Sequence, residues 1–363
     1  MKLALIGSAR FGIGEPVAGG LESMLLSLSV DLARLGHAVT VFAGTGEDAT
    51  TVCAGVRCIP LTARAFVPSP GARGDVSMPS DRFMAEHHAY LSLGQRLRTA
   101  DVDVVHNHSL HYLPPLYDIT APMVHTLHSP PTPWLESAYD QRTRAGDLVV
   151  SVSSANAALW GGIVDEVVPN GVDLERWDVR TDVARGHDVV WSGRLVPEKG
   201  AHLAVDAAIG AGRGIVLAGP VHDAVYFATE IAPRLGPGVR YLGHLAADEL
   251  TEVVRRAAVA VVSPMWDEPY GLVVAEALAL GTPVAAFARG GIPDLLDASC
   301  GVLAERGDVA ALAVAIEQAA RLSPAACRLR AATVCSSAVM AERYVELYES
   351  VRAVASVGGT RSR

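Results

Sequence analysis

The stretch "VAVVSPMWDEPYGLVVAEALALGTPVAAFA", residues 259–288, contains one complete strand–helix–strand unit. The β-branched run at 259–264 predicts a buried strand, and the alanine-rich run at 272–280 predicts a helix that ends at Gly281. A second apolar strand follows at 282–288. Two strands connected through a helix in this way run parallel, so this stretch predicts a parallel α/β sheet.

The same alternation runs along the whole chain. The expected strands are 2–7, 37–44, 101–108, 121–128, 147–153, 187–194, 214–220, 239–245, 259–264 and 282–288. They form two series, and the turn-rich segment "VPNGVDLERW" at 168–177 lies between them. The chain is therefore predicted to be an α/β protein with two Rossmann-like halves. The proline- and glycine-rich segment 57–85 is expected to be a mobile loop, and a terminal helix at about 336–354 could pack on either half.

Composition excludes several classes of protein. The chain has 363 residues, of which 50% are hydrophobic and 19% charged, a balance that excludes a disordered chain and suits two buried cores. The net charge of −9 argues against nucleic acid as a partner. No apolar run approaches the ~20 residues of a membrane span, although peripheral membrane contact stays open. The five cysteines form no CxxC pair and no signal peptide is visible, which together favour a cytoplasmic location.

The first glycine-rich loop, "GSARFGIGEPVAGG" at 7–20, matches neither common nucleotide motif. Val17 occupies the last glycine position of a dinucleotide fingerprint, and Ile13 stands where a P-loop needs lysine. An NAD-dependent oxidoreductase is therefore disfavoured. Gly19 and Gly20 directly precede a helix, where bare backbone amides can bind a phosphate; the alternative is a simple turn.

A second loop, "SGRLVPEKG" at 192–200, places two cations after a strand. Arg194 and Lys199 thus lie at the edge of the sheet where doubly wound folds bind ligands, and their two chemistries suit a diphosphate. Lys199 is one of only two lysines in the chain. The alternative is that both residues are ordinary surface charges.

The stretch 259–288 carries two glutamates eight residues apart, Glu268 before the predicted helix and Glu276 inside it. The amides of Gly271, Leu272 and Val273 at the start of this helix form an anion site. Carboxylates next to such a site are suited to accept hydrogen bonds from hydroxyl groups, which indicates a sugar beside a diphosphate. Alternatively, Glu268 stabilises the helix dipole and Glu276 is buried against a basic neighbour.

Histidines cluster after two strands of the first half, in "DVVHNHSLHYLPP" at 103–115 and "VHTLHSPP" at 124–131. His106 and His108 share one face of their strand if it extends that far. Three interpretations compete: a metal cluster, ordinary core or loop histidines, and active-site histidines. No ligand-type carboxylate or thiol is interleaved with them, which disfavours a metal.

Four motifs in this order resemble the family 4 glycosyltransferases over nearly the whole chain. They are the E-x7-E pair in 267–284, "GRLVPEKG", "VPNGVD", and the Gly-Gly at 290–291. The resemblance implies the GT-B fold, in which two Rossmann-like domains face a central cleft. It assigns residues 1–168 to an acceptor-binding domain, onto which the helix at about 344–363 packs back. Residues 169–343 then form the nucleotide-sugar-binding domain.

The resemblance also assigns roles. Arg194 and Lys199 look like the diphosphate clamp, assisted by backbone amides of Leu272 and Val273. Glu276 looks like the acceptor for ribose hydroxyls, and Glu268, with Gly271, like the contact to the transferred sugar. Further assignments are Gly19 and Gly20 to the diphosphate, Leu245 to the base, His108 to catalysis with Glu268, and His106 and His128 to the acceptor side.

The implied reaction is a retaining transfer from a nucleotide sugar, with UDP-sugar favoured, and without metal or other cofactor. A soluble small-molecule acceptor is expected because the arginines of the first half are scattered and the chain is acidic. The alternatives are a nucleotide-sugar epimerase of the same fold, a transferase with a lipid acceptor, and a sugar-nucleotide-binding protein without catalysis.

Overall fold

The computed structural model describes residues 1–13, 19–44, 55–62, 69, 71, 79–142, 146–175 and 185–358. Contacts between residues divide the chain into two compact units. The first comprises Met1–Ser151, Leu159–Val168 and Ala341–Arg363. The second comprises Val152–Ala158 and Pro169–Met340.

The first unit is built on a seven-stranded parallel sheet. Its strands are β1 Lys2–Ile6, β2 Ala38–Ala43, β3 Val56–Pro60, β4 Val104–Asn107, β5 Met123–Leu127, β6 Leu148–Ser151 and β7 Glu166–Val167. The spatial order is β3-β2-β1-β4-β5-β6-β7, so the order reverses between β1 and β4. In this register His106 lies in the centre of the sheet, opposite Leu5 on one side and Val124 on the other.

The second unit has a six-stranded parallel sheet. Its strands are β8 Val189–Ser192, β9 Ile215–Ala218, β10 Val239–Tyr241, β11 Ala260–Val262, β12 Val284–Phe287 and β13 Gly301–Ala304. The order β10-β9-β8-β11-β12-β13 reverses between β8 and β11. Each unit therefore has one topological switch point, the place where open α/β sheets bind ligands.

Helices connect these strands. They are α1 Gly20–Arg34, α2 Asp81–Leu97, α3 Pro133–Asp140, α4 Ser154–Leu159, α5 Ala201–Gly210, α6 Ala224–Tyr226, α7 Ala247–Arg256, α8 Leu272–Ala279, α9 Ile292–Leu295, α10 Val309–Ala319, α11 Pro324–Val334 and α12 Ser337–Gly358. A π-helical turn, Phe227–Ile231, extends α6, and short 3₁₀ turns occur at Pro114–Leu116, Pro197–Lys199 and Ala232–Arg234. None of the described helices is both long enough and apolar enough to cross a membrane.

Apolar periodicity explains how these helices pack. In α1 the residues Met24, Leu25, Leu28 and Leu32 follow the helical repeat and are buried. Helix α8 is apolar on nearly all sides, and its flanking strands β11 and β12 are buried along their length. Burial on both faces is what a parallel sheet covered by helices requires, and it accounts for the hydrophobic half of the sequence. The predicted α/β class is confirmed.

The sequence-based prediction was wrong for part of 57–85, expected to be loop throughout. Strand β3 occupies Val56–Pro60 and helix α2 begins at Asp81. Most of the intervening segment, including 63–68 and 72–78, lies outside the described residues. Strands β7 and β13 were also missed, since two and four residues are too few to show a period.

Candidate active site

The loops after β8 and β11 meet at the switch point of the second unit. Val190 of β8 pairs directly with Ala260 of β11. The loop after β8 carries Arg194 and Lys199, and the loop after β11 carries Glu268. Sheet order thus brings together side chains that are 69 residues apart in sequence.

Lys199 and Glu268 form a direct ion pair. Lys199 Nζ donates to Glu268 Oε2 at 2.5 Å, with 23% and 16% of the two side chains exposed. The indole N–H of Trp266 donates to the same oxygen at 2.9 Å, and Lys199 Nζ lies 5.4 Å from the Trp266 ring centroid. The carboxylate therefore has a fixed position and retains one oxygen for a ligand.

Two glycines hold the Glu268 backbone close to the loop after β12. Gly291 N donates to Glu268 O at 2.8 Å. Gly290 has φ +54°, and a Cβ added to it would lie 2.0 Å from that carbonyl oxygen. The close approach that this glycine pair permits is thus to the Glu268 backbone. Buried Arg289 braces the same loop through Asp267, at 3.1 Å, and the Met265 carbonyl.

The start of helix α8 faces the same loops. Its N-cap is Gly271, with φ +101°, and this residue offers no side chain to the first-turn amides. Gly271 O accepts from Val274 N at 2.9 Å, whereas the N–H groups of Leu272 and Val273 have no acceptor among the described residues. Two free amides at a helix N-terminus attract an anion.

Glu276 lies one turn further into α8 and lines a small pocket. Its walls are strands β8 and β11 and helices α7 and α8, and the other lining residues are Val190, Ser192, Leu250, Val254, Ala260, Val261, Val262, Val273 and Ala277. Glu276 and Ser192 are the two polar members of an otherwise apolar lining. The Glu276 carboxylate is thus held against apolar side chains at the switch point between β8 and β11.

Arg194 and Leu245 occupy more open positions. Arg194 is exposed and makes no hydrogen bond or ion pair within the described part of the chain. Leu245 is half-buried in the loop after β10, at the edge of the sheet and outside the Glu276 pocket. The cation is thus available to a ligand at the switch point, whereas Leu245 lies two strands from β8.

In the first unit, Gly19 and Gly20 are exposed at the start of α1. Gly19 is the extended N-cap residue, and its carbonyl accepts from Ser23 N at 3.0 Å. The Glu22 carboxylate folds back against them, with Oε2 3.2 Å from where a Cβ of Gly19 would be. Burial raises the pKa of Glu22 above its ordinary value. A carboxyl group that neutralises easily can share this helix start with an anion.

The predicted histidines form a chain of rings. His128 Nε2 lies 2.9 Å from His108 Nδ1, and His108 Nε2 lies 3.1 Å from His106 Nδ1. Burial lowers the pKa of His106 and His108 well below the ordinary value, and that of His128 to about 3. All three rings are therefore neutral at pH 7. His106 and His108 are buried, so His128 is the partly exposed member of this row of three histidine rings.

Two tyrosines of α12 close the buried end of this chain. The Tyr348 hydroxyl lies 2.6 Å from His106 Nδ1, and His106 Nε2 lies 2.7 Å from Thr126 Oγ1. Thr126 Oγ1 is in turn 2.9 Å from the Tyr344 hydroxyl. Proton donation in one direction, from His128 inward or from Thr126 outward, satisfies the ring contacts. Helix α12 thus orients the histidines.

Sequence reasoning did not single out several residues of these sites. Trp266 lies two residues before Glu268, and an indole N–H so near a carboxylate in sequence was a usable signal. Arg289 directly precedes the Gly-Gly pair at 290–291. Glu22 follows the double glycine by two residues. His111, stacked between Tyr90 and Tyr112, has a buried Nε2 with no partner among the described residues. Its signal was the third histidine of H-x-H-x-x-H.

Comparisons with known proteins agree with this architecture. Residues 18–176 match the model of glycosyltransferase family 4, and residues 186–321 match that of the glycosyl transferases group 1. A glycogen synthase of Mycobacterium tuberculosis is 30% identical over 362 residues, covering 87% of this chain and 85% of the relative.

Solved structures show the same fold. AviGT4, a glycosyltransferase involved in avilamycin A biosynthesis, has a TM-score of 0.73 and 26% identity, over 97% of this chain and 98% of AviGT4. Anabaena HepE, solved with UDP-glucose, has a TM-score of 0.71 and 19% identity, over 96% of this chain and all of HepE. The predicted GT-B class is confirmed, and the chain belongs to glycosyltransferase family 4.

Proposed function

We propose that this enzyme transfers a sugar from a UDP-sugar to a hydroxyl of a small soluble acceptor, with retention of anomeric configuration. The observation that carries the proposal is that the loop after β8, which bears Arg194 and Lys199, meets the loop leading into α8, whose first two amides have no acceptor among the described residues. These groups supply positive potential where a leaving diphosphate develops negative charge, which is commonly the largest catalytic contribution. We further propose that they make a bound metal unnecessary.

The ion pair of Lys199 and Glu268 supports a division of labour within the donor site. Lys199 Nζ has three donors, so it can bind a phosphate oxygen while keeping Glu268 in place. The remaining oxygen of Glu268 can accept from hydroxyls of the transferred sugar. Arg194, which has no described partner, can approach the diphosphate in bidentate geometry.

The position of Glu276 beside the switch point supports its assignment to the nucleoside part of the donor. Glu276 would accept from the ribose hydroxyls, because it is the charged residue at the pocket beside the switch point. The complex of HepE with UDP-glucose supports UDP as the nucleotide. Leu245 stays the proposed base contact. The four cysteines of the described residues carry free thiols, which supports a cytoplasmic setting.

The proposed step breaks the bond between the anomeric carbon and the diphosphate oxygen and forms a bond from the same carbon to the acceptor oxygen. The acceptor proton passes to the departing diphosphate oxygen on the same face of the sugar. His108 would position sugar or acceptor through His128, the partly exposed ring, with His106 behind it. Because burial keeps these rings neutral, their role is positioning by hydrogen bonds.

Thermal-shift titration with UDP, GDP and ADP, each free and as a sugar conjugate, tests the donor. We expect stabilisation by the UDP compounds, with EDTA present, and its loss in Arg194→Ala. Arg306→Ala is the matched control because Arg306 is also exposed but follows β13 at the far edge of the sheet. Equal loss in both variants would contradict the assigned diphosphate site.

NMR of the products tests the reaction. An α-linked product from a UDP-α-sugar supports retention. Epimerised UDP-sugar formed without acceptor would identify an epimerase instead. Transfer only to acceptors in lipid vesicles would replace the soluble acceptor by a lipid.

A further inference from the structure

Aromatic rings form an outward-facing surface on the first unit, which we call the aromatic platform. Its members are Phe83 of α2, Tyr112 after β4 and Trp134 at the start of α3. The ring centroids of Tyr112 and Trp134 are 5.3 Å apart, and those of Phe83 and Trp134 are 5.8 Å apart. Phe83 and Tyr112 lie 6.5 Å apart and within 14° of parallel. Trp134 is 60% exposed, so the platform presents a large aromatic face to solvent.

The platform lies at the ligand-binding edge of its sheet. Tyr112 is in the segment that follows β4, and Arg10 is in the segment that follows β1. The strand order of the first unit reverses between these two strands. Ligands of open α/β sheets bind at such a reversal, outside the carboxyl ends of the strands. Position alone therefore marks the platform as part of a binding site.

Polar groups border the aromatic rings. Arg10 donates to both carboxylate oxygens of Glu86, at 2.5 and 2.9 Å, and Glu86 lies one helical turn after Phe83. The Tyr112 hydroxyl lies 2.7 Å from His87 Nδ1. His111 stacks on Tyr112 at 4.6 Å, but its Nε2 is buried, so the polar rim consists of Arg10, Glu86 and the Tyr112 hydroxyl. A ligand here thus meets a flat apolar face and a rim of donors and acceptors.

A saccharide ring has this combination of surfaces. Its axial C–H groups form an apolar face that stacks on an aromatic ring, while its equatorial hydroxyls point outward to polar partners. A planar aromatic aglycone would instead favour an enclosed apolar slot, which a 60% exposed indole with an ionic rim does not provide. A lipid chain would leave the Arg10–Glu86 pair without a polar contact.

We propose that the acceptor is a carbohydrate and that Phe83, Tyr112 and Trp134 stack against one of its rings. This inference rests on the proposed transferase function, because it assigns the acceptor of that reaction. Trp134 contributes the largest exposed ring face. The Arg10–Glu86 pair and Tyr112 Oη contact the hydroxyls.

Saturation-transfer NMR with defined probes tests the platform without requiring turnover. The probes are methyl α-glucoside, methyl α-mannoside, maltotriose and myo-inositol, with quercetin as the planar aglycone and octanol as the aliphatic chain. We expect transfer to the ring C–H protons of at least one saccharide and a dissociation constant about 5-fold weaker in Trp134→Ala. Trp134→Phe should restore most of the affinity. Leu159→Ala, which removes another exposed apolar side chain from the same unit, should match the wild type.

Each other outcome overturns the proposal. Binding of quercetin or octanol without any saccharide would assign a different acceptor class. Equal saccharide affinity in the wild type and Trp134→Ala would remove the platform from the site. UDP-dependent thermal stabilisation, measured on the same samples, separates the two levels: its absence in the wild type contradicts the proposed function, whereas its presence without saccharide binding contradicts only the platform.

Discussion

Lys199 and Glu268 are joined at 2.5 Å, and the same glutamate oxygen also accepts from the Trp266 indole. The two charged residues come from loops after different strands, β8 and β11. Their pairing means that the cation proposed for the diphosphate and the carboxylate proposed for the sugar form a single unit. Substituting one of them should therefore change the contribution of the other to catalysis.

We expect Lys199→Ala to reduce kcat/KM by about 10²-fold or more, because it removes a cation from the developing diphosphate charge. Glu268→Gln should cause a similar loss. The double variant should lose much less than the product of the two effects, since the groups act as a unit. Steady-state kinetics on all four proteins checks this. Fully multiplicative losses would show that the two residues act independently.

Trp266→Phe separates the hydrogen bond from the ring. It removes the indole donor to Glu268 and keeps an aromatic face near Lys199. We expect a smaller loss of kcat/KM, about 3- to 10-fold, which corresponds to the net value of one hydrogen bond, about 1 kcal/mol, because Lys199 still holds the carboxylate. A loss as large as that of Glu268→Gln would mean that Trp266 contributes more than orientation.

Gly290→Ala should destabilise the protein and abolish donor binding. The new Cβ would lie 2.0 Å from Glu268 O, so the loop that carries Glu268 must move. Gly212→Ala is the matched control, because Gly212 has φ +67° with nothing within 4 Å. It should cost only the strain of a left-handed alanine, about 1–2 kcal/mol, and bind donor normally. Urea unfolding and UDP thermal shifts measure both; similar behaviour of the two variants would contradict the clash argument.

Tyr348→Phe should lower turnover although Tyr348 is buried and touches His106, the far end of the histidine chain. Loss of one buried hydrogen bond should also cost about 1 kcal/mol of unfolding free energy. Tyr117→Phe is the control: its hydroxyl bonds to the Tyr90 carbonyl at 2.5 Å, outside that chain. It should cost similar stability without changing kcat. An equal effect on kcat in both variants would show a purely structural role.

The stability of the protein should fall as the pH drops below about 6.5, the ordinary histidine value. Burial lowers the pKa values of His106, His108 and His128, so below pH 6.5 these residues bind protons in the unfolded chain but not in the folded chain. Their stabilisation is complete above the unfolded pKa and is lost progressively as the pH falls. Each ring contributes a slope of about 1.4 kcal/mol per pH unit.

The variant His128→Gln measures how much of this pH dependence of the unfolding free energy comes from His128. The pKa of His128 is about 3, so between pH 6 and 4 the unfolded chain binds about one proton that the folded chain does not. In the variant, the slope of unfolding free energy against pH should therefore fall by about 1.4 kcal/mol per pH unit. Urea unfolding at half-unit pH steps provides the comparison. An unaltered slope in His128→Gln would mean that this ring already titrates normally in the folded state.

Local sequence patterns were sufficient for most of the secondary structure. The β-branched run at 259–264 and the apolar run at 282–288 became β11 and β12, and the helix before Gly281 became α8. These elements have a period or an apolar run that local residues alone express. Edge strand β3 shows no such local pattern, because Arg57 and Pro60 interrupt its apolar residues and the strand is only partly buried.

By itself the sequence determined the parallel α/β class, the positions of Arg194 and Lys199 after one strand and of Glu268 and Glu276 after another, and the likeness to family 4. Only the tertiary structure decided that Lys199 pairs with Glu268, that Gly290 gives room to the Glu268 backbone, and that Tyr348 orients His106 from 242 residues away. The physical reason is that periodicity is a property of neighbours in sequence. Side-chain pairing depends on strand order and register, which form only when distant segments share a core.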